Sequence, residues 1–174
     1  MRKIVFYGAM SLDGYLADKK DDLQWLLDSD LGGKSTYEDF EKQVSTFVMG
    51  RKTFEVAQQI IGDQTLYAGK EKVIFSRKKQ VKQQNVTYVS GNVVDIIKSY
   101  QQQPGGMIWI IGGGGILKPL LEANLIDEFW IQIVPVLLGD GKRLFESGDY
   151  RTKLRFIETT QLGELTEIHL KKSQ

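Results

Sequence analysis

The sequence predicts an α/β fold: a mainly parallel sheet with antiparallel strands added at its C-terminal end. Strand-like apolar runs alternate with helix-like segments through residue 125, and only strand-like runs follow. One run, MIWII (107–111), is almost wholly apolar, as expected of a central strand covered on both faces. No linker, repeat or low-complexity tract interrupts the 174 residues, so 1–174 reads as one domain long enough to bury its own core.

In chain order, KIVFYGAM (3–10) is a short run with β-branched and aromatic members and predicts the first strand. SLDGYLADKKDD, rich in turn formers, predicts a loop. In STYEDFEKQV (35–44), Ser35 and Glu38 have capping-box spacing, and Tyr37, Phe40 and Val44 share one helical face. STFVMG (45–50) predicts a second strand, and RKTFEVAQQII a helix closed by Gly62. KVIFS (72–76) and NVTYVS (85–90) predict two more strands. Asn92 is placed to cap a helix whose Val93, Ile96, Ile97 and Tyr100 lie on one face. After MIWII and four glycines, ILKPLLEANL predicts a helix with Pro119 tolerable near its first turn. EFWIQIVPVLL, KLRFIETTQL and LTEIHLKK predict strands, the last two joined as a hairpin around Gly163-Glu164.

Composition narrows the chemistry. Hydrophobic content of 41% and charged content of 26% are globular values. The absence of cysteine excludes disulfides, thiolate nucleophiles and cysteine-held metals, and a lone histidine, His169, excludes a His-rich metal site. Carboxylates, hydroxyls, backbone dipoles or an organic cofactor must then do the work. His169 alternates with Ile168 and Leu170 and reads as a surface strand residue. A net charge of +1 argues against a nucleic-acid binder. Asp13 and Asp18 spoil a signal-peptide reading of the N-terminus, and no apolar run approaches membrane-spanning length, so the expectation is a cytoplasmic protein.

The glycines carry the sharpest signal. A strand, then Gly112 to Gly115, then a helix places free backbone N–H groups where an anion can approach directly. The dinucleotide pattern GxGxxG fails, because Leu117 or Lys118 stands where its last glycine belongs, and the phosphate-loop pattern fails as well. The glycines also follow about the fifth strand rather than the first. Two other strand ends are basic. Gly50, Arg51, Lys52 and Thr53 stand at one, and Ser76, Arg77, Lys78 and Lys79 at the other. Each cluster alone reads as a solvated face, but ligands of parallel sheets bind at such strand ends. Two cationic patches and a glycine cradle suit a phosphorylated dinucleotide.

The elements SLDGYLA, LQW, VMGRKTFE, VIFSR, IWIIGGGGI and LIDEFWIQIVPVLLGDGKRLF run in order over nearly the whole chain. In them the chain resembles the dihydrofolate-reductase-like superfamily, and especially the branch of the C-terminal reductase domain of bacterial riboflavin biosynthesis. The resemblance implies a three-layer α/β/α fold, an NADPH cofactor and a homodimer. It implies that Gly50, Arg51, Lys52 and Thr53 meet the adenosine side, and that Ser76 and Arg77 lie near the 2′-phosphate. Gly112, Gly113, Gly114, Gly115 and Ile116 would hold the pyrophosphate, and Ala9, Leu16 and Ala17 would line the nicotinamide end. Folate-reducing members carry an acid five residues beyond a tryptophan; the same step from Trp25 reaches Asp30, with Asp28 as a competitor. Asp13, in the LDG turn near the nicotinamide end, is another candidate. The plain alternative is that these carboxylates are solvated loop charges or turn supports.

The reaction the resemblance favours is reduction of 5-amino-6-(5-phosphoribosylamino)uracil. Without the deaminase domain that often precedes that reductase, a stand-alone paralogue with another small heterocycle is equally expected. Dihydrofolate reduction, or nucleotide binding without catalysis, is the alternative. The substrate pocket would involve the 11–31 loop and side chains around 54–61 and 132–136. EFWIQIVPVLL is also a candidate dimer surface, being rich in apolar and aromatic residues.

Overall fold

The computed structural model describes residues 1–78 and 83–173. Its centre is an eight-stranded sheet in the order β5-β4-β3-β6-β1-β7-β10-β9. The strands are β1 (Ile4–Ser11), β3 (Val44–Gly50), β4 (Glu71–Phe75), β5 (Val86–Val89), β6 (Met107–Ile111), β7 (Glu128–Val134), β9 (Leu154–Leu162) and β10 (Leu165–Lys172). β5 through β7 pair in parallel, and β10 and β9 are the antiparallel additions. The MIWII strand, β6, lies between β3 and β1 with Ile108 and Ile110 fully buried. The C-terminal hairpin turns at Gly163, whose φ is +58.

Alternation along β1 divides the core into two layers. Ile4 and Phe6 pack with α4 (Val93–Gln101) and α5 (Gly114–Glu122). Val5 and Tyr7 pack with α2 (Tyr37–Glu41) and α3 (Arg51–Ile61). The sheet between these helical layers makes the expected three-layer arrangement. Asn92 caps α4 as its position predicts, its Oδ1 accepting from the Asp95 N–H at 3.1 Å.

Several expectations are corrected. The loop predicted after Ser11 contains a short strand, β2 (Tyr15–Ala17), which pairs with β8 (Lys142–Arg143) in a separate ribbon. Farther along, Gln24–Leu27 forms the helical turn α1. The capping box at Ser35 does not form, because α2 starts at Tyr37 and Ser35 Oγ accepts from Tyr37 N at 3.1 Å. Val44, placed on the helix by periodicity, instead begins β3 and is buried in the sheet. β7 ends at Val134, since Pro135 has no N–H for the ladder. β7 is bonded to β1 on one side and β10 on the other, so both its edges are paired within the sheet. No helix among the described residues is long and apolar enough to cross a membrane.

Candidate functional site

The carboxyl ends of β1, β3 and β6 share one edge of the sheet, and they open on a cleft of about 860 Å³. From β3 the chain passes through Gly50 directly into α3, and from β6 it passes through Gly112 and Gly113 into α5. No side chain caps the first turn of either helix, although the Ile116 N–H already bonds the Gly113 carbonyl at 3.2 Å, and the helix dipoles favour an anion at the cleft wall. Gly50, Lys52, Thr53, Gly112 to Gly115 and Ile116 all line this wall, and Ala9, Leu16 and Ala17 line the end toward β1 and β2.

The glycines have separate reasons. Gly112 has φ +100, a backbone conformation that disfavours any side chain, and a Cβ there would stand 3.0 Å from Thr53 Oγ1, closer than side chains ordinarily pack. At Gly114 the space of a Cβ is taken by the carboxylate of Glu146. An acidic group of the chain itself thus rests on the first residue of α5. Gly115 has open space where its side chain would be.

Three of the predicted cofactor residues lie outside the cleft lining. The Arg51 Nη1 is bound to both oxygens of Glu55, at 2.6 and 2.7 Å, one turn along its own helix. Ser76 follows Phe75, the register partner of Gly50, but its hydroxyl is engaged in a local turn with the Lys78 backbone. Arg77 is exposed at the same sheet edge. Lys79 lies outside the described residues. Charged residues that sequence reasoning missed do line the cleft: Lys142, Arg143 and Glu146. Arg143 lies over the Tyr15 ring at 4.8 Å and donates to its hydroxyl at 3.2 Å, while Lys142 pairs with Asp21. The signal was present as the basic pair after Gly141, but only the β2–β8 pairing brings it to the cleft.

The candidate acids all carry local hydrogen bonds. Asp13 accepts from Ser11 Oγ at 2.6 Å and Gly139 N at 2.7 Å, with Leu138 N also in reach, and so fastens the SLDG turn to the 138–139 backbone. These bonds, Ser11 first, hold its carboxyl down at about 2. Asp30 accepts from Gly32 N at 2.7 Å, and its own backbone bonds Glu164 in the β9–β10 turn. Asp28 accepts from Gln24 Nε2 at 2.5 Å on the exposed side of α1. The structure brings none of the three to the cleft lining. Trp25 packs with Leu26 and Ala9 against Val134, Leu162 and Leu165, beside the cleft.

His169 is not the surface residue its alternation predicts. Its side chain is 14% exposed, its Nε2 lies 3.2 Å from Glu128 Oε2, and its ring stacks on Trp130 at 4.0 Å. Although burial opposes ionisation of Glu128, hydrogen bonds from Lys3 and His169 hold its carboxyl below the ordinary range. His169 does not line the cleft.

Residues 2–168 match the family model of the RibD C-terminal domain. The chain is 32% identical over 169 residues to the uncharacterised protein YwjB of Bacillus subtilis, covering 97% of each. A Shewanella sp. PV-4 protein provisionally named for riboflavin biosynthesis has a solved structure that superposes with a TM-score of 0.86 at 28% identity, over 99% of both chains. The dihydrofolate reductase of Enterococcus faecalis, solved with NADP(H) and RAB-propyl, shares the fold at a TM-score of 0.69 and 16% identity, over 99% of this chain and 97% of that one.

Proposed function

The chain belongs to the RibD C-terminal domain family, and from that premise we propose that it is an NADPH-dependent reductase whose cofactor lies along the cleft. One observation carries the reading: two uncapped helix N-termini, those of α3 and α5, open on a single cleft at the carboxyl ends of parallel strands. In this reading Gly112 to Gly115 and Ile116 hold the pyrophosphate, and Gly50, Lys52 and Thr53 hold the adenosine side, with Arg51 turning out from Glu55 to join them. Ser76 and Arg77 meet the 2′-phosphate at the neighbouring strand end. Ala9, Leu16 and Ala17 support the nicotinamide, and Trp25 with Leu26 closes the substrate end. When bound, NADPH supplies a hydride for a C=N or C=O group. The substrate is 5-amino-6-(5-phosphoribosylamino)uracil or a related small heterocycle. Asp13 and Asp30, each engaged in a turn, are assigned no proton transfer.

Titration with NADPH and NADH, followed by nicotinamide fluorescence, tests the cofactor. NADPH is expected to bind more tightly, and its advantage to shrink in Arg77→Ala and at raised salt. Failure of both nucleotides to bind at millimolar concentration would end the reading. The homodimer of this reading is assigned to the outer strand β9, where Phe156 is 60% exposed at the edge of the sheet. Size-exclusion chromatography of Phe156→Glu should then show a shift toward monomer, and an unshifted elution would remove that assignment.

A further inference from the structure

Beside the nicotinamide end of the cleft, three adjacent strands place Ala9, Gln132 and Glu167 in one cross-strand row. Ala9 lines the cleft; Gln132, its register partner on the next strand, is half-buried beside that lining rather than part of it, and Glu167 is only 3% exposed. A carboxylate that deep in the molecule needs donors, because an unpaired buried charge is costly. It has two: Thr36 Oγ1 lies 2.7 Å and Gln132 Nε2 3.0 Å from Glu167 Oε2. Tyr7 completes a ring of contacts, its hydroxyl 3.1 Å from Thr36 Oγ1 and 2.7 Å from Gln132 Nε2.

The direction of every bond in this ring follows from the carboxylate. A carboxylate oxygen accepts, and the Thr36 hydroxyl donates its single hydrogen to Glu167 Oε2. Thr36 then has none to give Tyr7, and Tyr7 must donate to Thr36. The oxygen of Tyr7 in turn accepts from Gln132, whose second N–H goes to Glu167. Burial, the largest cause, together with the nearby Glu167 charge, pushes the Tyr7 phenol up to about 12, so it keeps the proton this arrangement requires. Both N–H groups of Gln132 are thereby committed. Its Oε1 accepts no hydrogen bond among the described residues and is the one polar atom of that side chain with capacity to spare.

We propose that Gln132 Oε1 is the substrate-reading acceptor at the nicotinamide end of the cleft, and that Glu167, Tyr7 and Thr36 are positioning residues that lock its amide in one orientation. The inference rests on the cofactor reading above, which places the nicotinamide at Ala9. It selects a substrate class: molecules that present an N–H or O–H donor beside the group that receives the hydride. An analogue lacking that donor leaves the oriented carbonyl desolvated and unpaired, which disfavours it.

Uracil and 1,3-dimethyluracil serve as probes, since methylation removes the ring donors and leaves the ring. Each is titrated calorimetrically into protein saturated with NADP⁺, whose own binding is measured first. Wild type should prefer uracil by about tenfold or more, a factor that corresponds to about 1.4 kcal/mol. Gln132→Leu should bind NADP⁺ as wild type does and lose the preference. Glu167→Gln has the same shape, but its amide donates as well as accepts, so the ring no longer has one polarity. Its preference should fall between those of wild type and Gln132→Leu, whatever the variant does to Tm; a merely space-filling role for Glu167 would leave it unchanged. Binding of NADP⁺ with no preference for uracil, with neither probe bound, or with the preference intact in Gln132→Leu overturns the proposal and spares the cofactor reading. Absence of NADP⁺ binding by the wild type overturns both.

Discussion

Glu146 shows how a single side chain can set the strength of an anion site. Its carboxylate occupies the space beside Gly114 at the start of α5, the helix terminus that an incoming phosphate would also approach. A resident negative charge at a helix N-terminus is favourable in itself and unfavourable for a second anion. Glu146→Gln should therefore tighten NADPH binding by about threefold to tenfold, an effect that fades with added salt. Fluorescence titration at low and high ionic strength measures it, and equal affinities at low salt would show that Glu146 yields the site without cost. Asp13 acts the other way, on stability. Its carboxyl is held down at about 2 by Ser11 first and then by the Gly139 and Leu138 N–H groups, against an unfolded value of about 3.9. A depressed carboxylate contributes stability that is complete above the unfolded value and lost as pH falls through the folded one. The melting temperature of Asp13→Asn should consequently lie below wild type at pH 6, and the gap should close between about pH 4 and pH 2. A gap that persists at pH 2 would mean the lost contact is not ionic.

Elements whose signals are local were legible in the sequence. Asn92 announced α4 by residue type and by the donor three residues on, and the structure has that bond. Substituting Asn92 by alanine should cost about 1 kcal/mol in chemical denaturation. Leu117→Ala should cost about 2–5 kcal/mol, since Leu117 is fully buried in α5 against the sheet. If the two losses were equal, α5 would not be the anchor its burial implies. The β2–β8 ribbon was not legible, because Tyr15–Ala17 and Lys142–Arg143 are too short to show a period and find each other only in the folded chain. The same distance hid Lys142, Arg143 and Glu146 from the site. Val44 misled through genuine helical spacing, which the sheet overrode by burying it. Asp30 keeps its step from Trp25, yet Gly32 and Gly33, with φ of +60 and +69, bend the chain into a turn that takes up its carboxylate. The places of Gly112 to Gly115 and of Gly50, Lys52 and Thr53 along the cleft could be read from sequence, because each group stands at a strand end followed at once by a helix start.

At the scale of the molecule, the cleft is where otherwise separate parts meet. β1 and β6 from the middle of the sheet, α3 from one helical layer, α5 from the other, and the β2–β8 ribbon all contribute wall. A ligand that spans this cleft binds only when both layers are packed on the sheet, so its binding energy becomes stability of the whole fold. At a hundredfold excess over Kd that linkage is worth about 2.7 kcal/mol, and a domain of this length gains about 2–4 °C per kcal/mol. NADPH should therefore raise Tm by about 5–11 °C in a single cooperative transition. NADH at the same concentration should raise it less, by an amount that reflects its weaker binding. Calorimetry distinguishes this from local ordering. If NADPH produced a second transition while the main one stayed in place, the cleft would be stabilised as a local unit, and the two layers would not be coupled through it.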